Sequence, residues 1–187
     1  MDKTIIILII LGVVLITFIA LLINSYNKFI KMNNKVRESI SSVDIHLKKR
    51  FDLIPNLVAV VKGYAKHEKS TIEEIARLRN VAEQTEGCIE KIELANQTLP
   101  LMQKLFAITE SYPELKADEQ YKTLQNALIE CEEELVAVRR FYISNITNYN
   151  NMVQTFPSNI VAYMFKFKRY TVFEIAVDEK IAPTYSL

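Results

Sequence analysis

An uncharged run of 19 residues near the start of the chain constrains its fold more than any other feature. The run extends from Ile5 to Ile23, and its one polar side chain is Thr17. A helix of this length spans roughly 28 Å, close to the thickness of the hydrocarbon core of a bilayer. Secretory signal peptides have shorter apolar regions, about 7–15 residues, followed by a cleavage site of small residues, whereas polar residues 24–28 follow here. We therefore predict a transmembrane anchor at residues 1–25, marked by Ile5, Gly12, Phe18 and Ile23.

Basic residues flank this run unequally. Lys3 precedes it, and four basic residues follow within about fifteen positions, a distance over which loop charge sets orientation: Lys28, Lys31, Lys35 and Arg37. The positive-inside rule then predicts a single-pass protein with a short N-terminus outside and the larger C-terminal part in the cytoplasm.

The scarcity of glycine indicates a helical protein. The 187 residues include three glycines and five prolines, far fewer glycines than the roughly 7% of average proteins. Folds that need many tight turns or phosphate-binding loops are therefore disfavoured. Apolar residues recur at steps of three and four after the anchor. We predict an all-α fold, in which an antiparallel bundle of about four long helices occupies residues 26–170 and a tail occupies 171–187.

The first bundle helix carries a seam of residues three or four positions apart, typical of helix association: Tyr26, Phe29, Asn33, Val36, Ile40, Val43 and Leu47. A polar Asn33 within such a seam is typical of a coiled coil that fixes its register. We expect this helix to end near Arg50, because Asp52 suits an N-cap and Pro55 the first turn of a following helix. A kink within one continuous helix is the alternative.

The second helix is predicted to carry its apolar face over residues 57–82, with Gly63 at a close packing point and Gly87 as its C-cap. The third is predicted over 89–111, where Pro100 should bend or split it. A turn at 112–115 follows.

The fourth helix has the most regular pattern, with steps of three and four from Tyr121 to Met152. We expect Asp118 to cap it and the helix to reach Gln154, since Pro157 disfavours helix at the preceding residue. Ser158 is then predicted to cap a short amphipathic segment at 159–167, and the start of the tail is predicted to be extended.

Catalytic motifs fail on inspection. His67-Glu68 begins like the zinc motif H-E-x-x-H, but Thr71 occupies the second ligand position. The consecutive carboxylates Glu132, Glu133 and Glu134 are interpreted as a solvated helix face; the alternative is a carboxylate site with Asp52 or His67. We predict no cofactor, no metal and no enzymatic activity.

The distribution of charge is uneven, although the net charge is +1. From Lys28 to Arg50 there are seven basic and two acidic residues, and from Glu110 to Glu134 two basic and eight acidic ones. These segments either pair and solvate the bundle or place the basic helix near anionic headgroups. A net charge of +1 argues against nucleic-acid binding.

The two cysteines and the segment 163–170 each allow two interpretations. Cys131 lies on an apolar stripe and is interpreted as a buried, reduced thiol, although spacing does not exclude a disulfide with Cys88. Aromatic and basic residues are interleaved over 163–170. This segment either closes one end of the bundle or rests on a membrane or a partner.

A set of short stretches carries a recognisable pattern: 47–58, 61–68, 76–80, 112–118, 124–125, 139–142, 149–150 and 156–159. Its main positions are Arg50, Asp52, Pro55, Asn56, Gly63, Tyr64, Tyr112, Pro113, Arg139, Tyr142, Tyr149, Asn150, Phe156 and Pro157. In these stretches the chain resembles the LemA family, bacterial proteins with one N-terminal membrane helix and a helical-bundle domain. It departs from the family at Pro100, at Ile143 and at 163–171, which lacks the usual glycine and proline.

The resemblance implies a bundle anchored in the bacterial cytoplasmic (inner) membrane and supplies no reaction. A magnetosome-membrane branch of the family implies a role in membrane organisation. Our hypothesis is a self-associating scaffold whose partners are the lipid bilayer, copies of itself and other membrane proteins. The alternatives are an adaptor or regulator of another membrane protein or protease, and a carboxylate-site enzyme.

Overall fold

The computed structural model describes residues 3–64 and 68–171, and these residues contain helices and no strand. The elements are α1 (Lys3–Tyr64), α2 (Lys69–Gln84), α3 (Cys88–Ile108), a 3-10 turn (Thr109–Ser111), α4 (Pro113–Ala117), α5 (Glu119–Gln154) and α6 (Ser158–Met164). The predicted all-α fold is confirmed. The predicted extended segment of the tail lies outside the described residues from 172 onward.

The chain divides into two compact units. The terminal unit comprises Met1–Arg37 and Ile143–Leu187, and the central unit comprises Glu38–Tyr142. The helices α1 and α5 each contribute residues to both units. The anchor, bundle and tail boundaries predicted from the sequence stay a prediction.

Helix α1 does not end near Arg50, as predicted, but continues through Pro55 to Tyr64. Proline has no N–H, so the carbonyl of Phe51, four residues earlier, loses its helical donor. Arg79 Nε donates to this carbonyl at 3.4 Å. A side chain from α2 therefore replaces the missing hydrogen bond, and the alternative of one continuous helix is the correct one.

The buried stripe of α1 also continues past Arg50. Phe29, Val36, Val43, Arg50 and Leu57 recur every seven residues, and all of them are buried. Asp52 and Pro55, from which a helix end near Arg50 was predicted, lie inside this continuous helix. The first half of the predicted second helix therefore belongs to α1, and its second half is α2.

Two predictions about glycine are wrong. Gly87 has a φ of −73° and is the N-cap residue of α3, whereas the C-cap residue of α2 is Thr85. A glycine C-cap requires the left-handed conformation, which Gly87 does not adopt. Among residues 3–64 and 68–171, a Cβ placed on Gly63 would meet no atom within 4 Å, so Gly63 is not a close packing point within this part of the chain.

Helix α3 is not split by Pro100 and packs against α2. Its predicted end at Ser111 corresponds to the 3-10 turn that follows it. Instead of a simple turn at 112–115, Pro113 starts the short helix α4. Proline suits the first turn of a helix because it has no N–H, and an N–H there would find no acceptor within the helix.

Helix α5 confirms the most regular pattern of the sequence, and it ends at Gln154 as predicted. Asp118 caps it, because the backbone N–H of Tyr121 donates to Asp118 Oδ1 at 3.0 Å. Ser158, by contrast, does not cap α6. Its hydroxyl donates to the carbonyls of Met152 (2.7 Å) and Thr155 (2.9 Å), so it satisfies acceptors at the end of α5.

Candidate functional site

The predicted membrane span forms the first part of α1. The side chains of Ile5, Phe18 and Ile23 are exposed, and a Cβ built on Gly12 would meet no atom of the described residues within 4 Å. Among the described residues, α1 is the one helix long and apolar enough to cross a membrane. An exposed apolar surface of this length is stable in hydrocarbon and costly in water.

The predicted association seam follows directly along α1. Phe29, Val36, Val43 and Leu47 are fully buried, Asn33 and Ile40 are half-buried, and Tyr26 is exposed. The fold of a single chain therefore already covers much of the seam. A role of this seam in association between chains stays a prediction.

In the terminal unit, aromatic rings surround the residues of α1 that follow the span. The Phe29 ring stacks on Phe167, with centroids 4.7 Å apart and planes 12° apart. Phe29 also meets Tyr149 edge to face at 6.1 Å. Tyr26 contacts Phe165 at 4.7 Å and Phe167 at 5.9 Å. Such contacts add about 0.5–1.5 kcal/mol per pair to the gain from burial, so they attach the chain after α6 to α1 and α5.

Polar contacts hold the same segment in place. The Tyr170 hydroxyl donates to Asn33 Oδ1 at 2.7 Å. Asn150 makes a two-point contact with the Tyr170 backbone, since its Nδ2 donates to the carbonyl (2.8 Å) and its Oδ1 accepts from the N–H (2.9 Å). Asn33, expected to fix a coiled-coil register, therefore has a partner within the chain.

A Schellman motif ends α6 and directs this segment. The N–H of Phe167 donates to the carbonyl of Ala162 (2.9 Å), and that of Lys166 to the carbonyl of Tyr163 (3.3 Å). Lys166 adopts a left-handed conformation with a φ of 57°, at the position where glycine is usual. The lack of glycine over 163–171, noted as a departure from the family, therefore leaves a lysine in this conformation.

In the central unit, the buried stripe of α1 is completed by an ion pair. Arg50 is 1% exposed; its Nε lies 2.7 Å from Glu132 Oε1, and its Nη1 donates to the carbonyl of Ala95 at 2.9 Å. A buried guanidinium is tolerated when charged and polar partners compensate for its lost hydration. The sequence feature that could have indicated this pair is a charged residue among apolar residues that recur every seven positions.

The other carboxylates proposed for a catalytic site have separate surroundings. Glu134 accepts a hydrogen bond from Lys49 Nζ at 2.6 Å, and this contact lowers the pKa of the Glu134 carboxyl. His46 Nε2 lies 3.9 Å from the same carboxylate. Glu133 and Asp52 are exposed, and His67 lies outside the described residues. Residues 3–64 and 68–171 contain no group of three or more His, Cys, Asp or Glu positioned to hold a metal ion.

The remaining family positions are distributed over both units. Arg139, Tyr142, Tyr149 and Asn150 are buried, whereas Asp52, Asn56, Gly63, Tyr112, Phe156 and Pro157 are wholly or half exposed. The Tyr64 hydroxyl donates to Asp118 Oδ2 at 2.9 Å. This contact joins the end of α1 to the start of α5.

Both cysteines are free, which answers the question left open by their spacing. Cys131 is buried as expected, and its burial raises the pKa of the thiol to about 11. Burial also raises the pKa of the Cys88 thiol. Both thiols are therefore protonated and weakly nucleophilic at neutral pH.

Comparisons with known proteins agree with the sequence pattern. The LemA family profile matches residues 39–186. Magnetosome protein MamQ 2 of Paramagnetospirillum magneticum is 24% identical over 185 residues, covering 85% of this chain and 68% of the relative. Protein LemA of Metamycoplasma hominis is 23% identical over 158 residues, covering 83% of this chain and 71% of the relative.

The matched range contains the residues of three contacts described above: Phe51 with Arg79, the buried Arg50 with its partners, and Asn150 with Tyr170. The family description and the names of these relatives specify no reaction. Since the matched range covers most of the sequence, the chain belongs to the LemA family.

Proposed function

We propose that the protein is a non-enzymatic single-pass membrane protein that acts as a self-associating scaffold and organises the membrane around it. The observation that carries the proposal is the continuity of α1 from Lys3 to Tyr64. The apolar span and the packed stripe of the bundle are parts of one helix, with no linker between them.

The use of charge within the chain supports a structural role. The carboxylates of Glu132 and Glu134 are held by Arg50 and Lys49, and Asp44 by Lys91 at 2.7 Å. Each of these pairs joins two helices of the central unit. Ion pairs that join helices favour a particular packing arrangement, a role best attested where they specify register.

A surface for self-association is available on α1 of the central unit. Ile45 is 65% exposed, and it lines an open cleft together with Leu53, Asp52 and Asn56. Two of these four residues are family positions. The exposed Ile45 and the half-buried Leu53 give this cleft an apolar centre, and Lys48 and Lys49 also line it, which fits an apolar patch with a polar rim. The magnetosome names of the MamQ relatives support a role in organising a membrane compartment.

Self-association is tested by cysteine crosslinking of the full chain in native membranes. An Ile45→Cys variant in a Cys88→Ser background should form a covalent dimer upon mild oxidation if two chains meet at this surface. The remaining Cys131 is buried, so a crosslink reports position 45. Lys104→Cys, at an exposed position of α3, is the matched control and should crosslink less. If both variants remain monomers and the wild type also runs as a monomer in mild detergent, the scaffold proposal is wrong. Crosslinks to a different protein would favour the adaptor alternative.

Orientation forms a second part of the proposal. Lys28, Lys31 and Lys35 follow the span, whereas Lys3 precedes it, which supports a cytoplasmic domain at the inner membrane. Fusion of a phosphatase reporter to the C-terminus should give no activity outside the membrane. Phosphatase activity there would show that the C-terminal part lies outside and would contradict the proposed orientation. It would not contradict the proposed self-association.

A further inference from the structure

The end of α6 and the turn after it present an unusual surface in the terminal unit. Tyr163, Met164 and Phe165 are exposed, with 88% of Tyr163 and 49% of Phe165 accessible. The basic residues Lys166, Lys168 and Arg169 are exposed among them. We call these six residues the aromatic-basic surface.

The rings of this segment divide into two groups. Phe167 is half-buried and stacks on Phe29, so it belongs to the packed interior of the unit. Tyr163 and Met164 point away from that interior and remain exposed. Closing one end of the bundle therefore accounts for Phe167 and leaves the exposed apolar side chains unexplained.

The aromatic-basic surface lies beside the end of the span. The Phe165 ring contacts Tyr26 at 4.7 Å, and Tyr26 is the third residue after the apolar run that ends at Ile23. Three residues of helix extend only about 4.5 Å. Phe165 is therefore at the depth where the hydrocarbon core gives way to the headgroups, the region in which tyrosine side chains are enriched in membrane proteins.

The charges of the surface suit a lipid headgroup. Three cations stand among exposed aromatic side chains, and Lys28 and Lys31 of the same unit follow the span. Each lysine or arginine close to an anionic leaflet contributes about 1 kcal/mol. Aromatic side chains enter the boundary between headgroups and acyl chains, while the long basic side chains reach the phosphates.

We propose that the aromatic-basic surface is a second membrane contact, which lies in the headgroup region of an anionic bilayer beside the span. The occupant is a lipid surface rather than a second copy of the chain, because the surface adjoins a helix that is itself bound by lipid and carries a cluster of like charges. Two such clusters would repel each other across a symmetric interface. The inference rests on the inserted span of the proposed function and does not depend on self-association.

The absence of tryptophan from the chain allows a direct test. A Tyr163→Trp variant of the full chain, at an exposed position, carries a single tryptophan and is reconstituted in phosphatidylglycerol nanodiscs. Lipids brominated along the acyl chains should quench its fluorescence strongly, and the same lipids in phosphatidylcholine form should quench it less. Phe18→Trp reports insertion of the span itself. Loss of quenching at Phe18→Trp would contradict the proposed anchor, whereas loss at Tyr163→Trp alone would overturn the inference.

Charge variants give the matched comparison. In the Tyr163→Trp background, the changes Lys166→Gln, Lys168→Gln and Arg169→Gln should each lower the docking equilibrium constant about five-fold. The control changes Lys48→Gln, Lys62→Gln and Lys104→Gln remove the same charge from exposed positions of the central unit and should leave quenching unchanged. Equal effects of both sets would overturn the specific contact.

Salt and protein density provide measurements without further substitutions. At about 1 M salt the Debye length is roughly 3 Å, so docking of Tyr163→Trp should weaken. Quenching must also persist with one chain per nanodisc. If the tryptophan is buried only when several chains share a disc, a second copy covers the surface and the proposal is wrong.

Discussion

The two units cover the same stripe of α1 in chemically opposite ways. Phe29 and Arg50 lie 21 residues apart on this stripe, and both are almost fully buried. In the terminal unit, the rings of Phe167 and Tyr149 cover Phe29. In the central unit, a carboxylate and a carbonyl cover Arg50. Identical burial therefore reflects two different sources of stability.

This difference determines how each region responds to change. Burial of an aromatic ring is favourable because it removes apolar surface from water. Its contribution to the free energy of unfolding varies little with pH, since the apolar ring carries no charge. A buried ion pair depends on both partners, because the loss of one leaves an uncompensated charge, whereas replacement of both by apolar residues is often neutral or favourable. We therefore expect the terminal unit to be sensitive to volume and the central unit to be sensitive to pairing.

The largest effect is expected for Phe29→Ala, which removes a fully buried ring from the terminal unit. Large-to-small changes of this kind cost about 3–5 kcal/mol through lost burial and the cavity left behind. Denaturant unfolding of the full chain in detergent, followed by circular dichroism, measures the free energy of unfolding. Val136→Ala, at an exposed position of α5, should change it by less than about 0.5 kcal/mol. Similar losses in the two variants would refute the packing role of Phe29.

A smaller loss, about 2 kcal/mol, is expected for Arg50→Ala, since it removes a fully buried side chain and leaves the half-buried Glu132 carboxylate without its cation. The double variant Arg50→Met with Glu132→Leu should recover most of this loss, because it removes both charges and retains apolar volume. The same unfolding measurement tests both. A double variant less stable than Arg50→Ala would contradict the explanation that the unpaired Glu132 carboxylate causes the loss.

Lys166 sharpens the comparison on the side of the terminal unit, through its backbone rather than its side chain. Its φ of 57° is unfavourable for residues with a Cβ and accessible to glycine. We expect Lys166→Gly to be about 1 kcal/mol more stable than Lys166→Ala, which also removes the charge but keeps the strain. The difference in free energy of unfolding between the two variants isolates the conformation. Equal stabilities would show that the left-handed turn is not maintained in solution.

The sequence predicted what depends on periodicity and missed what depends on a single side chain from elsewhere in the fold. The long apolar helix near the N-terminus and α5 follow from continuous patterns, and the structure contains both. The continuation of α1 depends on Arg79, which replaces a hydrogen bond lost at Pro55, and no local rule anticipates a donor 28 residues away. Likewise, Asn33 looked like a register residue because its partner, the Tyr170 hydroxyl, is remote in sequence. Local rules about proline, glycine and asparagine describe a helix in isolation, whereas these contacts form only in the folded chain.

The smallest effect is expected at Asp118 of the central unit, where an exposed carboxylate is screened by water. Its pKa lies below the ordinary 3.8, because the Tyr121 backbone N–H and then the Tyr64 hydroxyl donate to it. The folded carboxylate therefore binds its proton less tightly than the unfolded one. Its contribution to stability is complete above pH 3.8 and is lost as the pH falls through the lowered value.

Asp118→Asn keeps an acceptor for the Tyr121 N–H but does not titrate, so its melting temperature should depend less on pH between about 5 and 2 than that of the wild type. Tyr64→Phe removes the second donor to this carboxylate and should lower the dependence on pH by a smaller amount than Asp118→Asn does. If the Asp118→Asn and wild-type curves run parallel, Asp118 does not couple its charge to the cap, and the central unit owes its pH response to its other ion pairs.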